Sequence, residues 1–291
     1  MIGKHGQLAR ALANVAILPP SIELIFAARP ELDLLKPGAA ASAIERARPQ
    51  LIINTAAYTA VDQAEQEPKL AFAINARGAG EVAAAAAAVG ARPVYISTDY
   101  VFDGRSSIPL DEHSPTAPVN IYGQSKLAGE QLVRANAPDA LIIRTSWLYS
   151  AFGSNFLRTI LRLAGQRDEL RIVDDQIGSP TSAVDLAAAL IVVAARWSDG
   201  DTIGAGETYH FAGSDHCSWA EFARGIIAES AAQTGRRPAV VPIASVDYPT
   251  PAARPAYTVL DCGKFDGDFG LARSGWRAAI RPVIADLLKT A

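Results

Sequence analysis

Apolar runs and helix-like stretches alternate along the first half of the chain. Four apolar runs predict strands, at positions 21–28, 51–57, 93–98 and 140–146. Stretches with the composition of helices lie among them, at positions 39–49, at 67–90, where Gly90 would end the helix, and from about Tyr122 onwards. Strands that are apolar on both faces and separated by helices predict an α/β fold whose parallel sheet is covered on both sides.

The pattern loosens after about Tyr149. Helices are predicted at 154–166, 181–197 and 218–233, a strand at 170–175, and a proline-rich connection at 247–257. No linker of distinct composition separates this half from the first. The second half is therefore predicted to be a smaller lobe that is interwoven with the first.

Composition narrows the classes of function. The chain has 291 residues and a formal net charge of −3, which gives no electrostatic footprint for nucleic acid. Its longest apolar run, Leu186 to Ala195, is about half of the ~20 residues that a membrane helix needs. Cys217 and Cys262 lack CxxC spacing, so we expect free thiols in a reducing compartment. These features predict a cytoplasmic protein with no membrane partner.

A glycine loop opens the chain. Gly3 and Gly6 in "GKHGQL" precede a short helix and are typical of the turn between the first strand and the first helix of a dinucleotide-binding fold. In such a turn, backbone N–H groups and a helix N-terminus face phosphate. Only Met1 and Ile2 stand where about five strand residues are usual. We therefore expect the natural protein to carry several more apolar residues upstream.

A tyrosine and a lysine stand four positions apart in "YGQSK", at Tyr122 and Lys126. In a helix their side chains would share one face. A phenol has an ordinary pKa of about 10, and a nearby ammonium would lower that pKa, so the pair could exchange protons. Chance also produces such a spacing, and the pair alone does not identify a catalytic site.

A third motif, "STDYVFDG", continues directly from the predicted strand at 93–98. The carboxyl ends of strands are where open α/β sheets bind ligands, so the hydroxyl of Thr98 could bond a substrate oxygen. The alternative is a turn hydroxyl that bonds the local backbone. Three motifs in this order on these elements predict a Rossmann-type doubly wound parallel sheet with a smaller interwoven substrate-binding lobe.

The predicted boundaries follow from this arrangement. Residues 1–150, with a return segment at 181–212, would form the dinucleotide-binding domain. Residues 151–180 and 213–291 would form the substrate-binding lobe.

Seven motifs together resemble the dTDP-4-dehydrorhamnose reductase family, a group of extended short-chain dehydrogenases/reductases. In chain order they are "GKHGQL", "NTAAYTAVDQAE", "STDYVFDG", "VNIYGQSKLAGE", "IIRTSWLY", "DDQIGSPT" and "YPTPAARPAYTVLD". The resemblance runs from Gly3 to the last predicted helix. It implies reduction of the C4 keto group of a dTDP-4-dehydro-6-deoxy sugar by hydride from NAD(P)H, giving dTDP-L-rhamnose.

The resemblance also implies roles for matching residues. Tyr122 would donate the proton to the C4 oxygen, while Lys126 would hold the nicotinamide ribose and lower the pKa of Tyr122. Thr98 would bond the reacting oxygen, and Asp99 would lie beside the sugar. Trp147 would contact the substrate, although its apolar strand alone indicates a core aromatic.

Further positions match the family's cofactor site. They are Gly3, Gly6, Gln7 and Leu8 near the pyrophosphate, Ala56, Ala57 and Tyr58 past the strand at 51–57, and the pair Asp33 and Leu34 on the adenosine side.

The cofactor preference depends on "FAARPELDL" at the end of the run at 21–28. An arginine there suits the 2′-phosphate of NADPH, and a carboxylate suits the ribose hydroxyl of NADH. Arg29 comes before Glu31, which favours NADPH and leaves NADH as the alternative. Arg29 is also compatible with an ordinary solvated charge at the end of a strand.

No metal site is predicted, because the four histidines are scattered and no HExxH motif occurs. Some family members bridge subunits through a metal held by acidic residues, and the matching position here is Ala11. A homodimer is compatible with the sequence, whereas a metal-bridged dimer is not supported. The proline-rich motif has Ala253 and Val259 where relatives carry basic residues, which leaves contacts to the nucleotide diphosphate open.

Two alternatives share the motifs. One is a reductase or epimerase of another sugar nucleotide. The other is a non-catalytic regulatory subunit that resembles the β subunit of methionine adenosyltransferase.

Overall fold

The computed structural model describes residues 1–15, 18–20 and 22–289. Its strands in chain order are β1 (Leu51–Asn54), β2 (Arg92–Thr98), β3 (Leu141–Thr145), β4 (Leu148–Tyr149), β5 (Glu169–Val173), β6 (Ile177–Gly178), β7 (Thr181–Ser182), β8 (Thr208–His210), β9 (Cys217–Ser218) and β10 (Ala239–Ile243). Its α-helices are α1 (Gln7–Ala13), α2 (Ala39–Ala47), α3 (Val61–Gln66), α4 (Pro68–Phe72), α5 (Ala79–Ala88), α6 (Ile121–Asn136), α7 (Phe156–Ala164), α8 (Ala183–Ser198), α9 (Trp219–Thr234), α10 (Gly263–Phe269) and α11 (Trp276–Lys289).

The predicted helix at 67–90 is present with one difference. A π-helical turn, Ala73–Gly78, joins α4 to α5. The amide of Gly90 bonds the oxygen of Ala87 just past the end of α5, at the predicted stop.

Four parallel strands in the described part of the chain form the central sheet, in the order β1–β2–β3–β8. Val94 of β2 pairs with Leu141 of β3, and this register places Thr98 directly beside Thr145. Both threonines therefore stand at the carboxyl edge of the sheet.

The amino-terminal residues extend this sheet beyond β1. Ile2 forms parallel bridges to Asn54 and to Ala27, and the amide of Gly3 donates to the oxygen of Ala27 at 2.8 Å. The order of the sheet thus reverses at Ile2, and such a switch point is where open α/β sheets bind ligands.

The predicted strand at 21–28 is wrong in its extent. Ala27 alone forms a bridge, residues 22–26 lie in no strand, and Ser21 is outside the described residues. The neighbouring segment of the sheet bridges Ala27 at Ile2 only, because the glycine loop begins at Gly3. Residues 22–26 therefore have no strand to pair with.

Helices cover both faces of the sheet, as the apolar pattern predicts. Ile53 belongs to a buried cluster with residues of α1, α8 and α10. The adjacent Ile52 belongs to a different cluster, with residues of α2 and α5. Successive strand residues point to opposite faces, so the two clusters lie on opposite sides. The expected fold class, an α/β doubly wound parallel sheet, is confirmed.

A second body of structure follows β3. Strand β5 pairs in parallel with β10, and α7, α9 and α11 share a buried cluster that includes Leu157, Phe222 and Trp276. Phe265 and Phe269 of α10 pack instead in the cluster of the central sheet, although they fall within the predicted lobe 213–291.

Two further features are the state of the cysteines and the length of the apolar helices. Cys217 and Cys262 are buried free thiols. Among the described residues, no helix is long and apolar enough to cross a membrane.

Candidate active site

A cavity of about 510 Å³ opens at the carboxyl edge of the sheet. Predicted residues from distant parts of the chain line it together: Gly6, Gln7, Leu8, Ala57, Thr98, Asp99, Tyr122, Lys126 and Trp147. The structure therefore brings the glycine loop, the end of β2 and the start of α6 to one place, which we call the catalytic cavity.

The first two turns of α6 carry the tyrosine–lysine pair. Asn120 caps the helix, its Oδ1 atom accepting from the amide of Gly123 at 2.8 Å. Its Nδ2 atom donates to the oxygen of Ala253 at 2.8 Å, which ties the cap to the proline-rich segment. Because Tyr122 and Lys126 are four residues apart on this helix, both side chains reach the same cavity.

Lys126 is almost completely buried, with 2% of its surface exposed. Its Nζ atom donates to the main-chain oxygen of Ile96 at 2.7 Å and lies 3.9 Å from the ring centroid of Tyr95. Burial lowers the pKa of Lys126 to about 7, and the carboxylate of Glu130 acts in the opposite sense. This amine can therefore exchange a proton near neutral pH.

The pKa of the Tyr122 phenol is shifted in the opposite direction. Burial raises the pKa of Tyr122 to about 12, with the Thr98 hydroxyl lowering it and Asp99 raising it further. The sequence predicted that Lys126 would lower the pKa of Tyr122, whereas the groups of the protein raise it. Desolvation of the phenolate outweighs the other contributions, and the ring packs beside the ring of Tyr100, 5.8 Å away between centroids. The phenol is held protonated, which is the state that a proton donor needs.

Thr98 and Asp99 lie beside each other at the end of β2. The Thr98 hydroxyl donates to Asp99 Oδ1 at 3.1 Å and accepts from the amide of Tyr100 at 3.2 Å. Thr98 thus bonds the local backbone, as the alternative interpretation supposed, and it also lines the catalytic cavity. Burial raises the pKa of Asp99 to about 7.

An adjoining cavity of about 260 Å³ lies at the switch point of the sheet, and we call it the loop cavity. The predicted residues that line it are Gly3, Gly6, Arg29, Asp33, Leu34, Ala56 and Ala57. It shares Gly6 and Ala57 with the catalytic cavity. The two spaces form one path from Arg29 to Tyr122.

The backbone at Gly3 packs closely against the segment that follows β1, where a side chain has no room. Its φ of 104° lies in the region that favours glycine, and a Cβ there would come within 2.5 Å of Thr55 Oγ1. No described side chain caps α1 at Gly6, so the first amides of that turn are free for a phosphate. The path therefore fits an extended dinucleotide.

Two predicted cofactor residues are placed differently. Tyr58 lines neither cavity; its hydroxyl donates to Glu67 at 2.6 Å and its amide donates to Asn75 at 2.7 Å. The side chain of Gln7 bonds Leu148, Ser150 and Asn155. Gln7 therefore joins the glycine loop to the second half of the chain, which leaves its backbone to face a ligand.

Several residues that the sequence interpretation missed also line the catalytic cavity, and two of them lie at the end of β3. Thr145 and Ser146 line the catalytic cavity at the end of β3. The Thr145 hydroxyl is buried without a hydrogen-bond partner among the described residues. Thr145 ends β3 as Thr98 ends β2, so its place at the end of a predicted strand was a usable sequence signal.

A third cavity, of about 750 Å³, lies between α7, β5, α9 and the proline-rich segment, and we call it the outer groove. Cationic and aromatic side chains line it: Arg167, Arg171, Trp219, Tyr248 and Arg254. Both terminal nitrogens of Arg254 bond the carboxylate of Asp62, at 2.8 and 2.7 Å, which ties the groove to α3. Such a lining suits an anion that carries an aromatic ring.

Comparison with known proteins identifies the family of the chain. The chain matches, over residues 1–289, the family described as "RmlD substrate binding domain". A curated dTDP-4-dehydrorhamnose reductase of Sinorhizobium fredii is 42% identical over 286 residues, which cover 98% of this chain and 96% of the relative.

Solved structures give the same picture. A dTDP-4-dehydrorhamnose reductase of Clostridium acetobutylicum superposes with a TM-score of 0.90 at 37% identity, covering 99% of this chain and 98% of the other. One from Bacillus anthracis, solved in complex with NADP, has a TM-score of 0.88 at 37% identity and covers 98% and 97% of the two chains.

Proposed function

The chain belongs to the family described as RmlD substrate binding domain, and from this premise we propose that it is an NADPH-dependent dTDP-4-dehydrorhamnose reductase. It reduces the C4 keto group of dTDP-4-dehydro-6-deoxy-L-mannose to the alcohol, giving dTDP-L-rhamnose. The observation that carries the proposal is the convergence of Thr98, Tyr122 and Lys126 in the catalytic cavity, at the end of the path from the glycine loop.

The path from the loop cavity to the catalytic cavity would hold the dinucleotide. Gly3, Gly6 and the backbone of Gln7 would lie along the pyrophosphate, and Leu8 beside it. Asp33 and Leu34 would face the adenosine, with Ala56 and Ala57 along the path between the two ends. The guanidinium of Arg29 at the outer end favours a 2′-phosphate, and the related protein solved with NADP supports the same cofactor.

Bound NADPH supplies the hydride that adds to the keto carbon. Tyr122 gives its phenolic proton to the oxygen that becomes the hydroxyl. Thr98 would orient that oxygen, since this residue lines the same cavity. Lys126, held by Ile96, bonds the ribose and returns a proton to the phenolate, for which its pKa of about 7 is well matched.

The sugar would sit against Asp99 and Trp147, and the nucleotide would extend into the outer groove. A dTDP group carries two phosphates and an aromatic base, which match Arg167, Arg171 and the aromatic rings there, whereas Arg254 is paired with Asp62. Within the predicted boundaries, residues 1–150 and 181–212 would hold the cofactor and contribute Asp99 and Trp147 to the sugar site, and residues 151–180 and 213–291 would hold the rest of the sugar nucleotide. The two buried free thiols favour a reducing compartment, and we propose the cytoplasm.

Turnover of the purified protein tests the proposal. Nicotinamide absorbance is followed after adding enzymatically generated dTDP-4-keto sugar with NADPH, and in parallel with NADH, and the product is identified by NMR. We expect dTDP-L-rhamnose in equal amount to the NADPH consumed. No substrate-dependent oxidation of either cofactor would contradict the proposal, and an isomerised keto sugar with unchanged cofactor would indicate an epimerase.

A further inference from the structure

Two tryptophans from distant parts of the chain are stacked face to face beside the catalytic cavity. The ring centroids of Trp147 and Trp219 are 3.3 Å apart and their planes differ by 4°. Trp147 lies just after β3 and lines the catalytic cavity, whereas Trp219 begins α9 and lines the outer groove. The pair therefore forms a shared wall between the two spaces.

The backbone of Trp147 has an unusual conformation. Its φ is 43°, in the left-handed region that an aromatic residue rarely adopts. Its carbonyl oxygen accepts from the amide of Thr181 at 3.2 Å, and the next residues form β4, which pairs with β7. A conformation of this kind persists when its surroundings fix it, and such residues cluster at ligand sites.

A second short ladder brings Trp219 to the indole of Trp147. Strand β6 pairs antiparallel with β9, which places Gly178 opposite Cys217, two residues before Trp219. A Cβ at Gly178 would come within 2.5 Å of the Trp147 ring. The glycine therefore leaves room for the indole to lie flat against Trp219.

Trp219 is in turn anchored on its own side. Its Nε1 atom donates to Gln176 Oε1 at 3.2 Å, and the amide of Gln176 donates to Ser245 Oγ at 2.8 Å. The ring of Phe156 packs against it, with centroids 4.5 Å apart. Trp219 is thus fixed by groups that line the outer groove, and one face of Trp147 is covered by it.

We propose that Trp219 is a positioning residue that fixes the indole of Trp147 as the wall against which the sugar ring of the substrate rests. The inference rests on the proposed function, because it concerns how that substrate is held. Trp219 acts on the sugar through Trp147, since it does not line the cavity of Tyr122. Because Trp219 also lines the groove proposed for the nucleotide, Gly178→Ala, which displaces Trp147 alone, separates this role from a direct contact with the nucleotide. Its removal should weaken sugar-nucleotide binding and leave the cofactor path unchanged.

Three variants test the proposal. Trp219→Leu removes the stacked ring, Trp219→Phe keeps an aromatic face, and Gly178→Ala pushes the Trp147 indole away without altering Trp219. We expect Trp219→Leu and Gly178→Ala to raise the KM for the keto sugar nucleotide about tenfold, with kcat changed less than about threefold. Trp219→Phe should stay within about threefold of the unchanged protein, and the Kd for NADPH should be constant throughout.

Circular dichroism supplies a readout that does not need turnover. Two stacked indoles give an exciton couplet in the far ultraviolet, which Trp219→Leu, Trp219→Phe and Gly178→Ala should abolish or weaken. Trp197→Phe, which alters a tryptophan packed against the central sheet, is the matched control and should keep both the couplet and the KM.

The outcomes separate the two proposals. An unchanged KM in Trp219→Leu and Gly178→Ala, despite a lost couplet, would overturn the positioning role, as would a Trp219→Phe variant as impaired as Trp219→Leu. If the unchanged protein shows the couplet and binds NADPH but oxidises none of it with the keto sugar, the proposed function fails, whatever the variants do.

Discussion

The Nζ atom of Lys126 donates a 2.7 Å hydrogen bond to the main-chain oxygen of Ile96. Ile96 lies in β2 just before Thr98, so this bond fixes α6 against the strand that carries the second site residue. The lysine is thereby enclosed beneath the catalytic cavity, where burial and not a neighbouring carboxylate dominates its pKa.

Replacing Lys126 should change how stability depends on pH. Its folded-state pKa is about 7 and its ordinary value is 10.5. Between these values the unfolded chain binds a proton that the folded protein has released, so the free energy of unfolding rises with pH. We expect the free energy of unfolding of the unchanged protein, relative to that of Lys126→Met, to rise by up to about 4 kcal/mol from about pH 7 to pH 10. Urea unfolding over this range measures it, with exposed Lys36→Met as control; a flat difference for Lys126 would contradict the account.

The cap of α6 should contribute to both stability and catalysis. Asn120→Ala removes the acceptor for Gly123 and the donor to Ala253, and should cost about 1–2 kcal/mol of free energy of unfolding. Asn120→Asp retains the acceptor and should cost less. Thermal unfolding compares the two; equal losses would show that the capping bond is not the main contribution.

The buried ion pair behind the cavity should be intolerant of single changes. Arg144 binds both oxygens of Glu130, at 2.9 and 2.7 Å, and each side chain is 7% exposed. Arg144→Met leaves the carboxylate uncompensated and should cost about 3–5 kcal/mol. The double variant Arg144→Met/Glu130→Met should recover part of that loss in urea unfolding. A double variant less stable than Arg144→Met would argue against this explanation.

Arg29 should distinguish the two cofactors. Arg29 is exposed and lines the loop cavity. We expect Arg29→Ala to weaken NADPH binding about tenfold at low salt and to leave NADH binding unchanged, because only NADPH carries the 2′-phosphate. Fluorescence titration with both cofactors measures this, and Arg46→Ala on the exposed side of α2 is the control. Equal losses for the two cofactors would remove Arg29 from phosphate recognition.

Local pattern was sufficient for most elements of the fold. The runs at 51–57, 93–98 and 140–146 became β1, β2 and β3, because each is apolar on both faces and is buried between helices. The run at 21–28 has similar composition but only one bridging partner, at Ile2. An apolar run forms a strand only where a neighbouring segment of the sheet offers it backbone partners. The residues of the run alone do not show whether such a segment is present.

The sequence likewise predicted part of the candidate site and missed the rest. The order of the motifs predicted that Thr98, Tyr122 and Lys126 would meet, the family resemblance added Trp147, and all four line the catalytic cavity. It did not predict the raised pKa of Tyr122, because desolvation depends on how completely the folded chain encloses the ring. Nor did it predict the partner of Trp147, since Trp219 is brought there by a pair of two-residue strands that carry no sequence signal.

Proton donation by Tyr122 is the central claim, and one comparison of variants tests it most directly. Tyr122→Phe removes the phenolic hydroxyl, and Tyr100→Phe removes one from the neighbouring ring. With NADPH and the dTDP-4-keto sugar, we expect kcat of Tyr122→Phe to fall at least about 100-fold while its Kd for NADPH stays within about twofold. Tyr100→Phe should keep most of its turnover. Reduction of the sugar by Tyr122→Phe at the rate of the unchanged protein would contradict the account.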